Sequence, residues 1–440
     1  MKAQRWQGGV ILACLAAAAC LWVGRAWSGG AAAEPPAVEM IGVAKEARQY
    51  WPRWRGPSGQ GLVEGSGYPD SWSDQDNVAW KVELPGHGNS SPIIWGDSIF
   101  LTTAYEKGSR RSILCLRRSD GKLLWGTFAP EALPEASNRK NGHASGTPST
   151  DGERVYAYLG NHGLLAVDLA GKQVWHRGLG ELNAYHGSSC SPLLYRDSVI
   201  VYQDQRRPAR SFLAAFDQRT GKTLWWTGRD EQVGWGSPVA IRAGDRDEII
   251  VSSQRKVYAY DPKTGQELWT CQGNLVEVTP TPVAGQGLLF CSSGRAGPTL
   301  AIRPGGSGDV TESRVAWQAA KGSPFIPSPL LYGDYLYIVN DMVGVATCYE
   351  ARTGKLMWQG RLSEAQRESF SASPVGVDGK VFFTNDRGET FVLKAGPEFQ
   401  LLRVNQLNAR TLASPAGVDR RWYFRTDRQL IAIGASAGSN

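Results

Sequence analysis

A glycine stands four residues ahead of a tryptophan five times along this chain, at Gly121/Trp125, Gly171/Trp175, Gly221/Trp225, Gly265/Trp269 and Gly354/Trp358. Before each copy, a small residue precedes a proline that opens an apolar run. These prolines are Pro92, Pro148, Pro192, Pro238, Pro282, Pro329, Pro374 and Pro415, spaced 56, 44, 46, 44, 47, 45 and 41 residues apart. A period near 45 with strand-like content is the mark of a β-propeller, one four-stranded sheet per repeat. The repeat sets the fold.

Each repeat parses as four strands. A short apolar strand follows the proline, then a turn such as Gly96-Asp97 or Asp378-Gly379, then an aromatic and β-branched strand such as 335–339. The third strand ends at the glycine turn, where glycine accepts positive φ without strain. The fourth carries the tryptophan. Seven positions share that slot: Trp80, Trp125, Trp175, Trp225, Trp269, Trp317 and Trp358. They read as packing between blades, because large aromatics bury the most area. In the seventh repeat Gln400 stands where the tryptophan is expected, and the fifth carries a glycine-rich insertion, 304–309.

The last repeat stops after its third strand, 429–433. Residues 77–84 have the form of the missing fourth strand, and pairing the two ends leaves no open edge. The expected fold is therefore all-β: an eight-bladed propeller over 77–434, preceded by an extended Trp/Gly/Pro-rich segment, 34–76, lying on the ring with its tryptophans buried. A tail, 435–440, follows. Proline and glycine rule out a helix in residues 50–72.

Lys2 and Arg5 precede a 15-residue apolar run, Val10–Gly24, the proportions of a secretory h-region and short for a spanning helix. Ala31-Ala32-Ala33 offers a cleavage site, so residues 1–33 read as a signal peptide or an uncleaved signal anchor. Cys20 is a poor lipoprotein site, since Leu21-Trp22-Val23 continues the apolar run. Export to the periplasm or cell envelope is expected, with membrane association if the segment is retained. The formal charge of +7 falls to 7 − 3 = +4 without Lys2, Arg5 and Arg25, and the remaining Arg and Lys are scattered among Asp and Glu without a basic run. That is a solvated surface, not a nucleic-acid stripe. Of the cysteines beyond residue 33 (Cys115, Cys190, Cys271, Cys291 and Cys348), no two are adjacent or spaced C-x-x-C. Cys115 and Cys348 occupy the place of Ala215 and Ala259, and read as small buried residues.

These repeats resemble those of the pyrroloquinoline-quinone (PQQ) propeller superfamily over roughly four fifths of the chain. That superfamily contains eight-bladed quinoprotein alcohol dehydrogenases, which hold the quinone and calcium at the ring axis, and BamB-like envelope proteins, which hold no cofactor. The opening Trp51-Pro52-Arg53-Trp54-Arg55-Gly56-Pro57 is similar to the start of planctomycete-type PQQ-like propeller proteins.

In such a fold the residues just before each Ser/Thr-Pro line one mouth of the axial channel: His87, His143, His186, Trp235, Glu277, Phe325, Phe370 and Arg410. Loops on a rigid scaffold are where function concentrates. The candidate ligand- or partner-binding face is His87, Asn89, His143, His186, Trp235, Glu277 and Arg410. His87, His143 and His186 fall at equivalent places on consecutive blades, so three imidazoles are candidate ligands for zinc or another divalent metal. Hydrogen bonding to loop backbone is the plainer alternative. The quinone sites the resemblance implies use adjacent cysteines, a Glu and an Asn on calcium and an Asp as base; no residue here matches that set. The expectation is no cofactor, with PQQ plus calcium left open. Gly434-Ala435-Ser436-Ala437-Gly438 and Gly305–Gly308 lack the strand–helix elbow and the Lys-Ser/Thr their motif look-alikes need. No catalytic residue is assigned. The reading is an exported, non-catalytic, BamB-like propeller that binds a protein partner or small ligand; the alternative is a PQQ- or metal-dependent oxidoreductase with a divergent site.

Overall fold

The computed structural model describes residues 37–138, 140–206, 210–362 and 369–435. The expected signal segment, Cys20, the expected cleavage site at Ala31–Ala33 and all of the tail after Ala435 lie outside the described residues.

Eight four-stranded antiparallel blades follow one another along the chain, as the repeat requires, the fourth widened to a six-stranded sheet by two added strands. Blade 1 is Ile93–Trp95, Ser98–Tyr105, Arg110–Arg117 and Leu123–Phe128; blades 2 to 7 repeat this order. Blade 8 is Ala416–Val418, Arg421–Arg425 and Gln429–Ile433, closed by Val78–Glu83, whose Val82 lies opposite Leu430. The ring is shut by joining its two ends. Core lies between adjacent blades, so Tyr156, Val199, Phe216 and Val251 share one cluster across blades 2 to 4.

Register explains the Gly–Trp phrase. Each slot tryptophan follows a register shift and faces a small residue on the third strand: Trp125 faces Cys115, Trp225 faces Ala215, and Trp358 faces Cys348. Cys115 and Cys348 are buried, filling the role of alanine. The indole then lies on the turn glycine of the next blade, not of its own. Trp175 Nε1 donates to Gln218 O at 2.9 Å, and a Cβ added to Gly221 would sit 2.6 Å from the Trp175 ring. Trp80, Trp125, Trp225, Trp317 and Trp358 make the same donation to the next blade. Gly221 also has a φ of +68°. Gly221→Ala is therefore expected to cost about 2–5 kcal/mol, combining ~1–2 for a left-handed alanine with ~1–3 for overpacking. Gly96→Ala, at φ +57° with nothing within 4 Å, carries the backbone cost alone. Chemical denaturation of both variants separates the two contributions.

Two blades depart from the pattern. Trp269 turns inward to Glu248, its Nε1 donating to Oε2 at 2.9 Å, while Gly308–Asp309 of the insertion adds a parallel strand outside it. In blade 7 the slot residue is Arg403, opposite Val392, and not Gln400. Gly396 stands four residues after Val392 where Gly221 stands six after Ala215, and the turn from Leu393 to Leu401 is one residue longer than that from Phe216 to Thr223, which together move the count. The aromatic is supplied from elsewhere: Trp72 stacks on Phe382, the blade-7 counterpart of Phe100, and also meets Phe424 of blade 8.

The N-terminal segment does more than lie on the ring. Val38–Met40 pairs antiparallel with the inner strand Val239–Ala243 of blade 4. Trp51 exchanges backbone hydrogen bonds with Ile94 of blade 1, and Pro52 O accepts from Thr150 N of blade 2. Gly61 and Val63 bond Gly376 of blade 7, while Gln60 Oε1 accepts from Ala284 N of blade 5. Arg55 Nη2 donates to Pro329 O of blade 6. The backbone contacts fall on the inner strands beyond the Ser/Thr-Pro phrases, while Arg55 reaches up to the phrase itself at Pro329. Unpaired inner-edge groups need partners, and the segment supplies them by plugging one end of the channel.

Candidate functional site

The small residue before each proline is always Ser or Thr, and the structure gives the reason. Ser91 N donates to Thr147 Oγ1 of the next blade, Thr147 N to Ser191 Oγ, and so on through Ser237, Thr281, Ser328 and Ser373 to Ser414 Oγ, at 2.9–3.1 Å. These seven bonds stitch the eight blades together around the open mouth. They also wall a pocket of 280 Å³ on the axis, with Trp54 of the plug at its floor. The channel is thus a blind pocket, open on the side of the Ser/Thr-Pro phrases.

A strap crosses that mouth. The spacing of 56 between Pro92 and Pro148 reflects a long connection after Phe128. Glu135 anchors it: both its oxygens accept from Arg111, at 2.8 and 2.6 Å, with neither side chain exposed. Asn89 Nδ2 donates to Lys140 O and Asn141 O, and Asn141 Nδ2 to His186 O. Lys140 then reaches blade 7, where its Nζ pairs with Asp386 Oδ2 at 2.9 Å and meets Ser369. Sequence reasoning passed over Lys140, Asn138 and Asn141; the extra length in the first repeat was the available signal.

The expected site residues fall in different surroundings. Asn89, His186 and Trp235 line the pocket. His186 packs between Tyr185 and Trp235, and burial holds its pKa below the ordinary histidine value. His143 Nδ1 accepts from Arg111 Nη2 at 3.2 Å; burial, then the guanidinium charge, lower its pKa, so the ring is neutral near pH 7. His87 is exposed, and its backbone bridges to Ala104. Glu277 accepts from Tyr185 Oη and pairs with Arg295, whose guanidinium lies 4.9 Å from the Phe325 ring centre. Arg410 pairs with Asp427 at 3.1 Å and is not part of the pocket wall. Phe370 is fully buried against Phe391 rather than facing the mouth.

The three histidines are thus held by different partners, and among the described residues no group of three or more His, Cys, Asp or Glu is placed to hold a metal ion. The quinone set does not fit either. The five described cysteines are free and buried, and the pocket wall carries no Asp or Glu to bind calcium. What the wall offers is amides, hydroxyls, aromatic faces, Lys140 and Arg295. That lining suits recognition of a polar or acidic group with an apolar body.

One carboxyl behind the wall is perturbed. Asp341 accepts from Phe325 N at 2.6 Å, and burial pushes its pKa up to about 6 from 3.8. Its contribution to stability is therefore greatest below pH 3.8 and is lost as pH rises through about 6. Asp341→Asn is expected to exceed the wild type in stability at pH 7.5 by up to about 3 kcal/mol, and the gap should close toward pH 4. Urea midpoints at the two pH values check this.

Exposed apolar side chains stand on the loops of the same face: Leu133, Leu275, Val276, Met342 and Val343. Among the described residues, no helix is long and apolar enough to cross a membrane.

The fold and the blade-linking motifs agree with comparison to known proteins. The chain is 22% identical to tetrathionate hydrolase of Acidithiobacillus ferrooxidans over 416 residues, 72% of this chain and 77% of that one. The structure of BamB from Moraxella catarrhalis superposes with a TM-score of 0.59 at 15% identity, covering 82% of this chain and 98% of that one. Quinohemoprotein alcohol dehydrogenase ADHIIG of Pseudomonas putida HK5 superposes with a TM-score of 0.64 at 11% identity, covering 90% and 82%. At these identities the structural likeness shows the fold. The PQQ-repeat family model described as outer membrane protein assembly factor BamB matches residues 71–179 and 109–359, well over half of the chain. With that match, a Ser/Thr-Pro ring and a Trp-on-Gly seam joining its blades, the chain belongs to the BamB-like PQQ-repeat β-propeller family.

Proposed function

We propose that this chain is an exported, non-catalytic propeller that binds a protein partner in the cell envelope over its strap-bearing mouth, with the axial pocket receiving one polar group of that partner or a small ligand. The observation that carries this reading is how the mouth's ionisable side chains are used. Lys140 is paired with Asp386, Arg295 with Glu277 and Arg111 with Glu135, while His143 accepts from Arg111. General acid–base work needs a group free to exchange a proton with a reactant, and these are committed to holding loops. Around them stand the exposed apolar residues of the same face, the composition of a contact surface. Planctomycete-type relatives and an envelope location fit the reading through the Trp51–Pro57 motif and the apolar run 10–24.

The second reading, a PQQ- or metal-dependent oxidoreductase, draws on the fold shared with the alcohol dehydrogenase and on an aromatic-floored pocket at the axis. Thermal melting of the full chain with PQQ plus calcium, with zinc and with chelator separates the two. A ligand at a hundred times its dissociation constant adds about 2.7 kcal/mol. No shift with any of these is expected. A shift with PQQ and calcium, accompanied by dye-linked alcohol oxidation, would replace the scaffold reading with the second.

A further inference from the structure

The Ser/Thr ring around the mouth is only half used by the fold. From Thr147 to Ser414, each hydroxyl oxygen accepts the backbone N–H of the blade before it. A hydroxyl also has one proton to give. Among the described residues, none of these hydroxyls finds an acceptor for that proton. Thr147, Ser191, Ser237, Ser373 and Ser414 line the axial pocket, so their unused donors stand at its wall. Ser371, on the same wall, has a buried Oγ with no hydrogen-bond partner at all.

The two cations of the wall also keep donors free. Arg295 uses Nε and Nη2 on Glu277, which leaves Nη1. Lys140 gives one proton to Asp386 and one to Ser369, and an ammonium has three. Neither carboxylate lines the pocket; both stand behind it. The wall is therefore rich in donors and offers no acidic side chain to a cation. The rest of it is apolar, with Trp54, Trp235, Phe325, Ile326 and Leu412.

Shape narrows the occupant further. At 280 Å³ the pocket is smaller than the ~300–1,000 Å³ of most small-molecule sites. It is blind, so a polypeptide cannot thread through it. A loop would have to bring two strands past the strap that crosses the mouth, whereas a chain end brings one. An amino terminus is a cation and meets only donors there. A carboxyl terminus is an acceptor of hydrogen bonds and carries the complementary charge.

We propose that the pocket captures the C-terminal carboxylate of the partner protein, with the apolar side chain of its last residue against Trp54 and Trp235. Capture of a terminal carboxylate by clustered donors is a recurring mode of peptide recognition. The inference rests on the reading of the mouth as the partner-binding face, and adds which part of the partner enters it.

Fluorescence polarisation on the full chain tests this with N-terminally labelled Gly-Ser hexapeptides ending in each of the twenty amino acids, made as free acids and as amides. Free acids ending in Phe, Trp, Leu, Ile or Met are expected to bind. Their amides should bind at least about tenfold more weakly, the effect of losing hydrogen bonds to a charged group. Arg295→Gln should weaken the acids and leave the amides unchanged; Arg295 is exposed, and if the variant does not fold the acid–amide contrast decides alone. Acids and amides bound alike, or no acid bound, would overturn the inference. Phenylacetate displacing the best peptide with equal affinity would also overturn it, reassigning the pocket to a small carboxylate. If no acid binds while a partner still crosslinks at the mouth, the terminal-carboxylate inference falls and the partner-binding face stands.

Discussion

A chain shortened to begin at Pro85 is expected to lose its cooperative melt. It lacks Val78–Glu83, the outer strand of blade 8, and leaves Gln429–Ile433 as an unpaired edge whose Leu430, Ile431, Ala432 and Ile433 are fully buried in the intact ring. Trp51, Trp72 and Trp80 go with it. Each large aromatic is worth about 3–5 kcal/mol in a core, and the sum is comparable to the ~5–15 kcal/mol by which a whole domain is stable. Exposed sheet edges also pair with other chains, so aggregation should accompany the loss. A chain beginning at Asp74 keeps the closing strand and should fold, with a lower melting temperature and an unplugged channel. Calorimetry on the two truncations makes the comparison. If the Pro85 chain melts like the full-length protein, closure by the N-terminal strand contributes nothing to stability.

Trp51→Ala should be the most damaging single substitution in the plug, at about 3–5 kcal/mol. Trp51 is 1% exposed, its backbone bridges Ile94, and a Cβ on Gly56 would lie 2.6 Å from its ring. The indole and the left-handed turn at Gly56 fit each other, so neither relaxes easily when the other changes. Limited proteolysis should then cut first within residues 37–63, since local opening follows loss of buried contacts. A loss under about 1 kcal/mol, with that segment still protected, would mean that the plug is held by its backbone pairing alone.

Blade number, closure and the Trp slot were legible because each repeat carries the same local chemistry at a fixed period. That Trp80, Trp125, Trp175, Trp225 and Trp317 each rest on the glycine of the following blade was not legible, since nothing in a one-dimensional repeat distinguishes a contact within a blade from one between neighbours. Blade 7 shows the limit of counting: an earlier glycine, Gly396, and a longer turn put Arg403, not Gln400, in the slot, and the filling aromatic, Trp72, comes from over three hundred residues earlier. The plug was invisible for a related reason. Gly and Pro in 50–61 rule out a helix but do not say where an extended segment goes. Its destination is set by unpaired backbone groups on the inner strands, a property of the closed ring.

The site was legible in part. Asn89, His186 and Trp235 could be placed at the mouth because position relative to the Ser/Thr-Pro phrase fixes height along the channel. Side-chain direction is not fixed by that position. His143 follows Arg111 off the pocket wall, Arg410 follows Asp427, and Phe370 goes into the core. Lys140 and Arg295 lie in connections whose paths depend on tertiary partners, Asp386 for one and Glu277 for the other.

The binding face itself is tested most directly by photo-crosslinking in cells. A photoreactive amino acid at Met342, 53% exposed on the mouth face, is compared with one at Gly96, in a turn at the opposite end of blade 1. The expected result is a discrete crosslinked protein species from position 342 and none from position 96. Crosslinks of equal yield from both positions, or from position 96 alone, would contradict the assignment of the mouth as the partner-binding surface.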